Sequence, residues 1–357
     1  MARPRIDPHT PLSELHVHLG AAVTPAIMWG IAHAQGIRLP TKDYWAFREL
    51  ITLGNRRRRT FQGYLDLFHW TELIQSSPIA VERSVYEVIG GAYRRSNITR
   101  LELRFNPMKR NRGGEQDLDH IISAAIRGMD RARLEYPVTP GLILCLDRAF
   151  SHELNEILAA KAISWRARGV VGIDIAGPVV AGFRFADYRD IMDDCRRAGL
   201  GITVHVGETG GADEVEEAIE ALDPARIGHG IQSATDPRVM GLLRERGIVL
   251  EVCPSSNLST GVVASLGELR ARIRNLVTHE VAFTLSTDGP EILQRYLRDE
   301  FALVLRHGIL SLDEVERAIE TGHQASFVER VPAAERVPGV RDRSRDPSAR
   351  VALELEV

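Results

Sequence analysis

Residues 201–208 read Gly-Ile-Thr-Val-His-Val-Gly-Glu, a short β-branched run closed by a histidine, a glycine and a glutamate. A run of that length and composition has the signature of a buried strand. Three segments far away in the chain repeat the pattern. Leu15-His16-Val17-His18, Ile227-Gly228-His229-Gly230 and Leu285-Ser286-Thr287-Asp288-Gly289 each end an apolar run with residues that bind metals or move protons.

Outward from these four, further short apolar runs alternate with amphipathic segments. Strands are predicted at 13–19, 99–105, 141–146, 170–175, 202–206, 226–228, 248–252 and 282–286. Helical periodicity fills the gaps, for example over 214–222 and 237–246. Eight strands, each followed by a helix, predict an α/β fold: a (β/α)8 TIM-type barrel. The gap between the first two strands is about 80 residues, far beyond a usual βα unit. Extra helices inserted there are expected to form a lid over the barrel mouth. This insertion carries the chain's one dense basic run, Arg56, Arg57, Arg58 and Arg59, read either as a solvated loop or as a lid segment that meets an anionic substrate group. The expected organisation is a single metallo-hydrolase barrel domain over 1–334 and a charged tail over 335–357.

Bulk properties exclude several classes. A chain of 357 residues with 44% apolar content buries a large core, and a net charge of -3 gives no reason to expect nucleic acid or membrane as partner. Cys145, Cys195 and Cys253 are odd in number and sit in or beside apolar stretches, as core thiols of a reducing compartment do. The N-terminal residues lack the apolar region of a signal peptide, and no run is long enough to span a bilayer, so a cytoplasmic enzyme is expected. The sequence carries no signal for oligomeric state.

His16 and His18 stand two apart, so an extended strand points both side chains the same way. His205, His229 and Asp288 end the fifth, sixth and eighth predicted strands. In such barrels the strand ends converge at the C-terminal mouth, which is where catalytic residues gather. His16, His18, His205 and Asp288 are therefore candidate ligands for one Zn2+ per chain, although iron and manganese accept the same donors. A water polarised there becomes a hydroxide near neutral pH, which points to a metal-dependent hydrolase.

The order of motifs resembles a known family. His-x-His at 16–18, Gly-Ile-Asp-Ile-Ala-Gly at 172–177, His-x-Gly-Glu at 205–208, Gly-His-Gly at 228–230, Cys-Pro-x-Ser-Asn at 253–257 and Ser-Thr-Asp at 286–288 look like the adenosine and AMP deaminases of the amidohydrolase superfamily. The resemblance covers about 12–331. It implies that Glu208 donates a proton to purine N1, that His229 orients and stabilises the attacking hydroxide, and that Asp288 accepts a proton as well as binding metal. It also implies that Gly177 offers its N–H to purine N3, besides any role in a tight turn. The His/Cys/Cys zinc site of cytidine deaminases is excluded, because Cys253-Pro254 has no second cysteine at the needed spacing.

Two departures bear on the substrate. The family reads His-x-His-Leu-Asp-Gly, and its aspartate accepts a hydrogen bond from the ribose 5′-hydroxyl; here Gly20 stands in that place and is expected to open room for a 5′ substituent. The family's second consecutive aspartate, which meets purine N7, is replaced by Gly289, with Glu291 as a possible substitute or the contact missing. Both changes point to a small-molecule substrate, an adenine nucleoside enlarged at its 5′ end. The branch they most resemble is the aminodeoxyfutalosine deaminases of menaquinone biosynthesis, with adenosine or methylthioadenosine as the alternative. Adenine deaminases are disfavoured, since they tend to carry a glutamate near position 20. A catalytically dead relative should have lost a ligand, and none is missing. A two-metal hydrolase should offer a bridging lysine at a strand end, and Lys161 falls in a helical segment. Asn106, Asp147 and Asn257 are expected to bond loop backbone rather than substrate.

Overall fold

The computed structural model describes residues 5–53, 60–112 and 117–328. Eight parallel strands follow one another in chain order around a single sheet: β1 (Leu12–His18), β2 (Ile98–Phe105), β3 (Thr139–Asp147), β4 (Val170–Ala176), β5 (Gly201–Val206), β6 (Arg226–His229), β7 (Val249–Val252) and β8 (Phe283–Leu285). This is the expected TIM-type barrel. Each predicted strand lies within two residues of an observed one. Leu19, read as strand, instead begins a short helix.

Between β1 and β8 the sheet closes through one bridge, Val17 to Asp288. The Asp288 N–H donates to the His16 carbonyl at 2.8 Å and the His18 N–H donates to the Asp288 carbonyl at 2.9 Å. The seam of the barrel therefore runs through three of the four candidate ligands.

The helices between strands bury Val, Ile, Leu and Ala against the outer face of the sheet in one continuous core. Inside the barrel the filling is partly ionic. Glu102 and Arg104, two apart on β2, share the inner face with Asp174, Thr203, Arg226 and Glu251, all buried. Arg104 bridges Asp174 (2.9 Å) and Glu251 (2.7 Å), while Arg226 joins Glu251 (2.7 Å) to Glu102. Every charge in this network meets its opposite, as charges taken out of water must.

The long first connection holds α1 (Leu19–Ala22), α2 (Pro25–Ala34), α3 (Tyr44–Ile51), α4 (Phe61–Leu65), α5 (Phe68–Ile74) and α6 (Pro78–Ser96). Local chemistry sets their ends. Thr24, Asp43, Thr60 and Ser77 each accept a first-turn N–H, and Pro25 and Pro78 open helices where a missing N–H costs nothing. Asn97 takes φ 51° to turn α6 into β2. The basic run Arg56, Arg57, Arg58 and Arg59 and the tail 335–357 lie outside the described residues. Cys145, Cys195 and Cys253 are buried free thiols, and no helix among the described residues is long and apolar enough to cross a membrane.

Candidate active site

β1 delivers His16 and His18, β5 ends in His205 and Val206, β6 ends in His229, and Asp288 follows β8. Gly207, at φ 65°, turns the chain after β5 so that Glu208 reaches the same space. His229 and Asp288 hold φ of 60° and 63°, a left-handed backbone that side chains other than glycine seldom adopt and that clusters at functional positions. Gly228 lets the rings come together: a Cβ there would stand 2.9 Å from His16 Cε1.

The imidazoles are oriented by carboxylates behind them. His16 Nδ1 lies 2.8 Å from Glu251 Oε2, and His205 Nδ1 lies 2.8 Å from Asp174 Oδ2. Each ring thus donates from Nδ1 and leaves Nε2 bare on the side that faces the mouth, the arrangement found behind metal-bound histidines. His16 Nε2 is buried without a hydrogen-bond partner. His18 Nε2 and His205 Nε2 are 3.1 Å apart, and Asp288 Oδ1 is 3.5 Å from His18 Nε2 and 3.8 Å from His16 Nε2. Ligand atoms of His16, His18 and His205 all lie within 4.8 Å of one another. This donor set fits one zinc-sized ion. A second grouping, His16 with His229 and Cys253, fits less well. Burial pushes the Cys253 thiol well above its usual range, so it is held as S–H and bonds the Glu251 carbonyl at 3.4 Å.

Glu208 is the second chemical element of the site. Burial pushes its carboxyl well above the usual range, the Asp288 carboxylate adds to the rise, and Arg148 opposes it. Its Oε1 is buried with no partner, and Oε2 is 3.6 Å from His229 Nε2. On the far side of that ring, Asn257 Nδ2 approaches His229 Nδ1 at 3.3 Å, so Nδ1 accepts and Nε2 carries the hydrogen. Burial, and then the charges of His205 and Arg104, hold the His229 imidazole well below its usual pKa, so it is neutral. A carboxyl biased towards its protonated form, a neutral imidazole and the Asp288 carboxyl thus share one wall.

These groups line a cavity of about 460 Å3 at the C-terminal mouth. His18, His205, Glu208, His229 and Asp288 line it from the barrel, and α4 and α5 supply Phe61, Tyr64, Phe68 and His69. Gly177 lines it too, at φ 93° and with a Cβ position only 2.5 Å from Asp147 Oδ1, so both its backbone and its lack of a side chain are required.

Three expectations are corrected. The room vacated at Gly20 is not open: a Cβ there would meet Arg110 Nη2 at 2.8 Å and Phe68 Cδ1 at 3.0 Å. Gly289 is likewise occupied, since its Cβ position lies 2.5 Å from the Tyr64 hydroxyl, and neither glycine lines the cavity. Glu291 does not take over the missing carboxylate's place. It pairs with Arg95 at 3.0 Å in a separate cavity of about 280 Å3 outside the barrel, because the turn at Pro290 swings it away from the mouth. Asn106 accepts the N–H groups of Met108 and Lys109 through Oδ1, as expected, and it also lines the cavity, with its buried Nδ2 lacking a partner. Asp147 pairs with Lys109 and lines the cavity, and Asn257 bonds His229, so neither is confined to loop backbone.

The sequence reading missed Glu251, Arg104, Tyr64, Ser256 and Arg110. Arg104 and Glu251 carried a signal, a charge in the middle of a strand that should be buried on both faces. Ser256 and Tyr64 both donate to Asp288 Oδ2, at 2.7 and 3.0 Å, and only the folded insertion brings the phenol there.

Comparison with known proteins agrees with this geometry. The profile of the family described as adenosine deaminase matches residues 11–337. An adenosine deaminase from Clostridium kluyveri is 29% identical over 317 residues, covering 89% of this chain and 89% of its own. Among solved structures, an amidohydrolase from Burkholderia ambifaria with bound Zn superposes with a TM-score of 0.77 at 21% identity, covering 90% of this chain and 87% of that one. The N6-methyl-AMP deaminase from Arabidopsis thaliana superposes with a TM-score of 0.77 at 23% identity, over 90% and 93% of the two chains.

Proposed function

The chain belongs to the adenosine deaminase family and is a hydrolase of purine C–N bonds, and we propose that it removes the 6-amino group of a 5′-modified adenine nucleoside as ammonia. The observation that carries this reading is Glu208, a buried carboxyl without a partner on Oε1, held beside His18, His205, His229 and Asp288. Attack at C6 of an adenine ring needs the ring nitrogen protonated, so that displaced electron density is stored as N–H rather than as a ring anion. A carboxyl whose pKa is raised by burial is the group for that task.

His16, His18, His205 and Asp288 would hold one Zn2+, which supplies Lewis acidity and a nucleophile at neutral pH. The rest is done by the chain. Glu208 donates its proton to N1. His229, with hydrogen on Nε2, orients the attacking oxygen, and Asp288 takes up the proton released from it. Asp288 returns that proton to the 6-amino nitrogen, and the tetrahedral C6 centre expels ammonia as its hydroxyl gives a proton back to Glu208 and becomes the carbonyl. Gly177 presents backbone N–H to the N3 edge, and α4 and α5 act as a lid that excludes water.

Position 20 carries no acceptor for a ribose 5′-hydroxyl, which favours a nucleoside modified there, and 6-amino-6-deoxyfutalosine is the preferred substrate. Adenosine is the second reading, favoured by the name of the curated relatives. Ammonia release by metal-loaded protein on aminodeoxyfutalosine, adenosine, methylthioadenosine and adenine decides between them. A hundredfold preference in kcat/KM for aminodeoxyfutalosine is expected; equal or better turnover of adenosine sinks the 5′ argument, and no turnover of any of the four sinks the deaminase assignment.

A further inference from the structure

Arg110 ends the short 3-10 turn Met108–Arg110 that follows β2 and leans into the wall of the cavity. Only 2% of it is exposed, yet its Nε and Nη1 have no hydrogen-bond partner. The nearest carboxylate, Glu72, stands 3.9 Å from Nη2, beyond hydrogen-bond reach. A guanidinium carries five N–H donors in a fixed fork and stays charged in proteins, so a buried one left this bare is costly unless an anion arrives.

Its place in the cavity is fixed by its neighbours. Nη2 lies 2.8 Å from the Cβ position of Gly20, and the edge of the Phe68 ring lies 3.0 Å from that same point. Phe68 in turn stands edge-on to His18, with ring centroids 6.1 Å apart. Arg110 is thus separated from the metal-ligand cluster by one aromatic ring. Lys109 and Arg112 also line this cavity, but Lys109 is already engaged by Asp147. Glycine at position 20 is what admits the guanidinium, since a larger residue would collide with Nη2.

We propose that Arg110 is the anion-binding residue of the substrate pocket, so that the substrate is an adenine nucleoside bearing a carboxylate or a phosphate at its sugar end. This rests on the reading of the cavity as a purine nucleoside site. The purine's reacting edge faces the histidines, and the sugar substituent reaches past Phe68 to the fork, which grips two anionic oxygens at once. Discrimination follows from the bare N–H groups: a neutral nucleoside leaves them unpaired, and an anionic one satisfies them.

The test uses full-length, metal-loaded protein and calorimetric binding of three product-type ligands: inosine, inosine 5′-monophosphate and the 5′-carboxylate of inosine. The wild type should bind at least one anionic ligand tenfold or more tightly than inosine, and whichever of the two gains more identifies the anion. Arg110→Met should reduce that ratio tenfold or more, Arg110→Lys should restore part of it, and Gly20→Asp, which places an internal carboxylate against the guanidinium, should reduce it as well. If the Met variant does not fold, the wild-type ratio and Gly20→Asp carry the test. Equal binding of all three ligands by the wild type, or an unchanged ratio in Arg110→Met, overturns the proposal while leaving the deaminase reading intact. Failure to bind any of the three ligands, together with no turnover of any adenine nucleoside, overturns both.

Discussion

The hydroxyl of Tyr64 stands 2.5 Å from where a Cβ at position 289 would lie and donates a 3.0 Å hydrogen bond to Asp288 Oδ2. A helix of the insertion has thus put a phenol where the chain has no side chain of its own. Burial, and then the Asp288 charge, push the phenol well above its usual pKa, so it remains a donor wherever the protein is folded. Tyr64→Phe should lower kcat/KM about tenfold, in line with loss of one hydrogen bond to a charged acceptor. Gly289→Asp should be much worse alone than with Tyr64→Ala, because only the double variant has room for both groups. Steady-state kinetics of the three variants check this; additive effects would mean that the two positions do not share the space.

Glu208→Gln preserves size and leaves nothing to donate a proton, so kcat should fall by about 10²–10⁴ with bound metal unchanged. The raised carboxyl also fixes the direction of the pH profile. Glu208 is protonated below its elevated pKa and active there, and activity falls as pH rises through that value. Rate measured against pH gives the answer, and a profile that climbs steadily into the alkaline range would contradict an acid role for Glu208.

Asp174 accepts from His205 Nδ1 and so leaves Nε2 free at the candidate metal position. Asp174→Asn should weaken metal binding about 10–100-fold. Competition against a chelator measures this directly, and unchanged metal affinity would remove Asp174 from the site's support.

Glu300 is buried; its Oε2 accepts the Ser255 N–H at 3.0 Å, and its Oε1 has no partner. Burial pushes its carboxyl from 4.5 to about 8. The folded protein therefore holds this proton across a window in which the unfolded chain has lost it. Its contribution to stability is fully present below pH 4.5 and is lost as pH rises through about 8. Glu300→Gln should flatten the decline of Tm between those values, which thermal melts of both proteins at several pH values will display; parallel curves would refute it.

The barrel and its ligands were legible because parallel strands buried on both faces appear as continuous apolar runs, and a polar residue that ends one is conspicuous. His16, His205, His229 and Asp288 all stand out in this way. Glu251 and Arg104 carried a weaker signal, a charge within a strand buried on both faces, but which groups they meet is settled only when the sheet closes and places them inside. Tyr64 was illegible for another reason: its position depends on how the insertion folds back over the mouth, which no local periodicity encodes, and Arg110, in the turn after β2, acquires its surroundings only when Phe68 and Gly20 are brought beside it. Glu291 was misjudged because nearness in sequence to Asp288 does not survive the turn at Pro290.

Closure of the cylinder has a bearing on more than shape. The last strand meets the first through backbone bonds at His16, His18 and Asp288, the residues whose side chains gather at the candidate metal position. An ion held there would act as a rivet across the one joint that lacks an extended ladder. Stripping it should loosen the joint along with the chemistry, so that a chelated protein unzips from this edge first. Selection on such an enzyme could not trade catalytic ligands for structural ones here, because a single set of residues serves both purposes.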